Sequence, residues 1–364
     1  MEQLMQGVDM QDEGVRRKIF WLLKRLTSYT LWSRKREAFR IFAAAYETAV
    51  KTWSPNDPEM VSADYLAKIY EVVGLYDTGL DDLAHGRRFV WRTNEALERV
   101  VALSSYLSDY FYRNPNYWER GAQFLPYPPK VDALARLLRA SMYQGEEAPL
   151  EVAGTSDRFA SIESPAWLLD KNKYNYNFYE LEFPAFPHDL PEMPEPRGLM
   201  VRSGEEVPCD GIWEPMLIES ARLTHALPLN VEVMRNGGCF NYFVAQTLAP
   251  NLSQLSDDQW DVVPVPTHWR LLWEDTRYKD GTIPDESSYF LASRRENPLR
   301  EPVSTRTEVR TGELCPASGE WHTEEFGGKT VKMEEGQVMP DLLAVDNLGD
   351  RVVHWVTWAL VRAT

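Results

Sequence analysis

Three cysteines and six histidines are the residues of this 364-residue chain best suited to holding a metal or attacking a substrate. A structural zinc site takes four Cys or His ligands, usually in closely spaced pairs. Cys209, Cys239, Cys315 and His322 are the candidates, and no CxxC or HxxxH spacing joins them. Cys239, in NGGCFNYF, follows a glycine turn where a nucleophile with a histidine base could stand. Nothing around it forms a known nucleophile elbow, and a small buried filler is the commoner role for such a thiol. Carboxylates offer a third chemistry, in Trp273-Glu274-Asp275 and in Trp213-Glu214. Two converging carboxyls could cleave a glycosidic bond, but in a C-terminal part this rich in acidic residues adjacency is expected by chance. A carboxylate-dependent hydrolase of a glycan-like substrate and a zinc-binding adaptor therefore stand as alternatives to a protein without catalytic residues, metal or cofactor.

The chain also repeats itself. Residues 201–215 read VRSGEEVPCDGIWEP, and from 309 it reads VRTGELCPASGEWHTEE. Both run Val-Arg-(Ser/Thr)-Gly-Glu, then a Cys beside a Pro, then Gly-x-Trp. Arg-(Ser/Thr)-Gly-Glu suits a turn whose glycine takes a backbone angle that other residues resist. The second Gly permits close approach, and the Trp packs inward. Two small β units of related plan, each nailed by a tryptophan, account for the repetition without a reaction.

The elements that must position these groups differ between the two halves. Over 15–29 the apolar positions Val15, Ile19, Leu22, Leu23, Leu26 and Tyr29 recur at helical steps. Further helices are expected up to Pro55 and Pro58, from Ser62 to Gly86, from Arg88 to Asn114-Pro115, and from Lys130 to Tyr143. KYNYNFYELEF alternates Tyr174, Tyr176 and Phe178 with polar residues, as a strand does. FPAFPHDLPEMPEPR, with Pro184, Pro187, Pro191, Pro194 and Pro196, reads as an extended connection. Beyond Arg197, GLMVRSG, VEVMRN, WRLLWED, TRTEVRTG and VVHWVTWALV are strand-like, with turns at Asp280-Gly281 and Gly327-Gly328. The fold class is α+β: an antiparallel helical bundle over 1–150, a Pro-rich connection over 151–196, and an acidic, mostly antiparallel β region over 197–364. The two related units lie near 201–215 and 309–325.

Charge follows the same division. Residues 1–145 hold 20 Lys and Arg against 18 Asp and Glu, and the remainder holds 19 against 37, giving the chain its net charge of −16. So acidic a β half repels nucleic acid and anionic membrane and attracts a basic partner. The basic groups crowding the first helices, Arg16, Arg17, Lys18, Lys24, Arg25, Arg34, Lys35, Arg36 and Arg40, could form a nucleic-acid surface, but in a nearly neutral domain they read rather as a solvated face or one docked on the acidic part. The odd number of scattered cysteines argues against a secreted disulfide framework. A polar, acidic N-terminus and the lack of eighteen successive apolar residues make the cytoplasm the expected address.

Four segments carry a resemblance. They are IFWLLKRLTSYTLWSRKREAFRIF; VPCDGIWEP with GGCFNYFVAQTLAP; WRLLWEDTRYKDGTIPDESSYF; and VRTGELCPASGEW with GQVMPDL. In this order the chain resembles immunity proteins of bacterial polymorphic toxin and type VI secretion systems, and is similar to the families numbered seventy-one and seventy-two. It departs from the pattern where HTEEFGGKTVKMEEG replaces an often Arg-rich stretch. The resemblance implies a non-enzymatic protein that binds one cognate toxin in the cytoplasm and blocks it. The physics of tight, selective contact calls for aromatic anchors in a charged rim. On that basis Trp273 and Tyr278 with Glu274 and Asp275, then Trp213 with Glu214, are the expected partner-binding residues. The partner is a toxin domain with a basic or anion-binding active site, not nucleic acid or membrane. A homodimer is also compatible with the sequence.

Overall fold

The structure, a computed structural model, describes residues 9–54, 60–112, 129–142, 165–169, 175–176, 179–180, 185–196, 198–222, 230–255, 262–290, 308–325, 328–340, 342–345, 351–354 and 356–363. Among them, helices fill the N-terminal half and antiparallel sheets the C-terminal half, the α+β arrangement expected from the two periodicities. The helices are α1 (Glu13–Leu26), α2 (Tyr29–Thr52), α3 (Leu66–Ala84), α4 (Ala96–Tyr112), α5 (Pro129–Met142) and the short α6 (Ala166–Leu169). The Asp12 side chain opens α1 by accepting from the Val15 amide at 2.9 Å, and Lys24 and Arg25 close it at the negative end of the helix dipole. Ser62 caps a single 3-10 turn that leads into α3. The helix expected from Arg88 opens later, because Arg88–Trp91 form a 3-10 turn of their own. Pro55, Pro58, Asn114, Pro115, Tyr143, Tyr174, Phe178 and Pro184 lie outside the described residues. Pro187, Pro191, Pro194 and Pro196 stand in neither helix nor strand.

After a two-residue hairpin, β1 (Asn175–Tyr176) with β2 (Tyr179–Glu180), the strands fall into two modules. The first contains β3 (Met200–Arg202), β4 (Gly211–Arg222), β5 (Asn230–Asn236), β6 (Asn241–Phe243) and β9 (His268–Glu274). Their order is β3-β9-β4-β5, with β6 also paired to β4, and β7 (Leu252–Leu255) and β8 (Val262–Val265) form a separate hairpin. In the second, β10 (Glu308–Arg310), β11 (Gly319–Thr323), β12 (Lys329–Met333) and β15 (Thr357–Ala363) take the order β10-β15-β11-β12. Its hairpin is β13 (Leu342–Val345) with β14 (Arg351–His354).

The repeated sequence is a repeated structure, with matching hydrogen bonds through the turn. Arg202 N–H donates to the Glu205 carboxylate at 2.8 Å, and Arg310 N–H to that of Glu313 at 2.9 Å. Gly204 and Gly312, both at φ +83°, donate to Ala249 and Met339, each at 2.8 Å. The Ser203 and Thr311 hydroxyls reach the Pro250 and Pro340 carbonyls at 2.8 and 3.0 Å, and these carbonyls also accept from the indoles of Trp269 and Trp358. Register breaks before Trp213 in one module and before Trp321 in the other. Each core is then one cluster. Val201, Val207, Trp213, Leu252 and Trp269 match Val309, Cys315, Trp321, Leu342 and Trp358. The cysteines are not equivalent. Val207 occupies the place of Cys315, and the spacing to the shared Gly-x-Trp puts Cys209 in line with Ala317. That likeness of the two sentences is coincidental, whereas the turn and the Trp are structural.

Compactness cuts across the division into halves. One unit comprises Met1–Arg36, Gly74–Ala102 and Met142–Ser293, the other Glu37–Val73, Leu103–Ser141 and Arg294–Thr364. Each joins helical segments to one β module. In the unit that holds the first module, residues 211–216 of β4 are buried throughout, whereas in the second module β12 and β15 each leave one face largely exposed.

Candidate partner-recognition surface

In the unit holding the first module, α1 lies against the sheet. Glu214 on β4 has a buried side chain whose Oε1 accepts from Arg16 Nη1 at 2.8 Å and from Asn236 Nδ2 at 2.9 Å. Its Oε2 accepts from Arg270 Nη2 at 2.5 Å. Burial alone would raise the Glu214 carboxyl, but the hydrogen bonds from Arg270 and Arg16 outweigh it and hold it below its ordinary value. One turn on, Phe20 meets the Trp273 ring edge to face at 6.2 Å, and Lys24 lies 4.8 Å above the same ring.

The loop after β9 clamps the junction between α1 and α2. Asp275, fully buried, receives Arg88 Nη2 at 3.1 Å, Arg277 Nη2 at 2.7 Å and the Tyr242 hydroxyl at 2.9 Å. Desolvation works against this carboxylate, and the charges of Arg277 and Arg88 overcome it, so it too is lowered. The same arginines close the C-terminal end of α1: Arg88 donates to the Thr27 carbonyl at 2.9 Å and Arg277 to that of Lys24 at 2.9 Å. At the start of α2 the polarity reverses. Tyr29 N–H donates to the Tyr278 hydroxyl at 2.8 Å and Thr30 N–H to the Glu286 carboxylate at 2.8 Å, while the Tyr278 hydroxyl donates to Glu286. Cations thus sit at a helix C-terminus and an anion at the next N-terminus, each where the helix dipole favours it. Tyr278 takes φ +67° to reach this position.

Of the six residues expected to meet a partner, Trp213, Glu214, Asp275 and Tyr278 have buried side chains. Trp273 and Glu274 are half-buried, and Glu274 pairs with Lys279 at 3.7 Å. Sequence reasoning missed the arginines that neutralise these carboxylates. Arg16, in VRRK, was visible as part of a basic face; Arg88, Arg270 and Arg277 carried no local signal. A general acid must keep its proton near neutral pH; Glu214 and Asp275 are both driven the other way. Burial pushes the Cys239 thiol up, which keeps it unreactive. All three cysteines are free, and among the described residues no group of three or more His, Cys, Asp and Glu could hold a metal ion. Among those residues, too, no helix is long and apolar enough to cross a membrane.

Residues 10–177 match the family model of immunity protein 71, and residues 192–291 match that of immunity protein 72. The second β module lies outside both matches. No curated protein and no solved structure matches the chain. The two family matches together cover most of the chain, and the protein belongs to the immunity protein families 71 and 72, which directs its function to toxin neutralisation.

Proposed function

We propose that the protein binds one cognate secreted toxin in the cytoplasm of the producing or kin cell and blocks it by covering the toxin's active site or substrate surface. The toxin would be of the kind that a type VI system delivers. The observation that carries this reading is that the immunity family matches run through both the helical and the β half. Charge supports it: a chain of net −16 is drawn to a basic, anion-binding toxin face and raises the rate of encounter. Trp273 and Glu274, half-buried at the end of β9, would reach the partner. Trp213, Glu214, Asp275 and Tyr278 would act through them, since a surface fixed in advance loses less freedom on binding. The test is to co-express the product of the adjacent toxin gene with and without this chain. Growth only in its presence, with a complex that co-purifies, is the expected result. Cells that survive without it, or a toxin that never co-purifies, would remove the proposal.

A further inference from the structure

The two modules differ in one large feature. Trp213 pairs with Asn241 as Trp321 pairs with Val331. Between these partners the second module runs only through 322–330, whereas the first runs through 214–240. Part of the addition is an arm, in which β4 from Met216 to Arg222 pairs with β5 from Asn236 to Asn230. Strand β9 accompanies β4 only as far as Met216, so residues 217–222 have β5 as their one neighbour among the described strands. A two-stranded ribbon with open edges is marginal by itself and invites pairing.

The arm's chemistry specifies what it would accept. Ile218 and Met234 stand directly opposite each other, 36% and 46% exposed, an apolar cross-strand pair left in water. Gly237 N–H donates to the Pro215 carbonyl at 2.8 Å, which makes 215 and 237 a hydrogen-bonded pair. Such pairs alternate along an antiparallel ladder, so 218 and 234 form a non-bonded pair, and the Met234 N–H and C=O point away from β4 toward an edge that no other described strand covers. A row of unpaired amides and carbonyls is matched in full only by another extended backbone.

We propose that the β4–β5 arm is a strand-docking element: an extended segment of the toxin pairs along β5 and lays an apolar side chain on Met234 and Ile218. This rests on the neutralisation reading above. The test measures binding of the purified toxin from the adjacent gene to the full chain and to two variants, with melting curves to establish that each variant is folded. Ile218→Lys with Met234→Lys removes the apolar pair, and Met234→Pro removes the edge donor without touching the β4–β5 ladder. Both are expected to weaken binding by about tenfold or more with unchanged melting. If the unaltered chain binds and both variants bind within about twofold of it, the arm is not the docking element. The same holds if sedimentation shows only that the variants lose self-association. If the unaltered chain does not bind the toxin at all, it is the neutralisation reading that fails.

Discussion

Replacing Asp275 by alanine is expected to destabilise the unit that holds the first module by about 3–5 kcal/mol, the cost of stranding buried charges without their counterion. Arg88 has no solvent exposure and Arg277 very little, and both point at this carboxylate; Arg277 has a second, more distant one in Glu286 at 4.0 Å. Without it two guanidinium groups face each other in a dry site that also closes the end of α1. Asp275→Asn should cost less, since the amide still accepts hydrogen bonds. The readout is the urea transition of that unit, because a chain of two compact units need not unfold in one step. The same residue sets a pH dependence. Its folded carboxyl lies below the ordinary 3.8, so its contribution is complete above that pH and drains away as pH falls further. Glu214 acts in the same direction from its ordinary 4.5. Asp210, raised chiefly by burial, acts oppositely and costs stability as pH rises through the carboxylate range. Asp275→Asn should therefore flatten the acid limb. A loss of less than about 1 kcal/mol, with the acid limb unchanged, would show that the arginines find other partners.

Trp213→Ala and Trp321→Ala are each expected to cost about 3–5 kcal/mol, and each in its own unit. Both rings are fully buried at the centre of a module core. Because the rings belong to separate clusters, the double variant should show the two losses added. Phenylalanine separates the copies further. The Trp321 indole donates to the Ala317 carbonyl at 3.2 Å, whereas that of Trp213 has no hydrogen-bond partner among the described residues. Trp321→Phe loses a hydrogen bond and Trp213→Phe sheds an unsatisfied donor, so the second change should be the milder by about 1 kcal/mol. Equal effects of the two phenylalanine variants would contradict this assignment of the indole bonds.

Much of this architecture was legible in the sequence. The spacing of Ile19, Leu22, Leu23 and Leu26 marks the apolar face of α1, and the repeated Arg-(Ser/Thr)-Gly-Glu and Gly-x-Trp mark the two modules, because local geometry demands those residue types in that order. What α1 covers was not legible. Arg16 and Glu214 stand nearly two hundred positions apart, and nothing in either neighbourhood distinguishes a buried ion pair from two surface charges. The expected partner residues fall on β4, β9 and the loop that follows, but exposure depends on the neighbour that the fold supplies. Glu214 and Asp275 look like rim charges until Arg270, Arg88 and Arg277 arrive from elsewhere in the chain. The arm is a further case. VEVMRN reads as a strand by its alternation, yet an open edge is a property of the sheet.

The central proposition, neutralisation by occupancy, is tested most directly by titrating the toxin's activity with this protein and then examining both chains. Activity should fall linearly to nothing at an equimolar ratio, and unfolding the complex should return both chains with unchanged mass. Inhibition far below equimolar ratio, with a covalent change in the toxin, would contradict it.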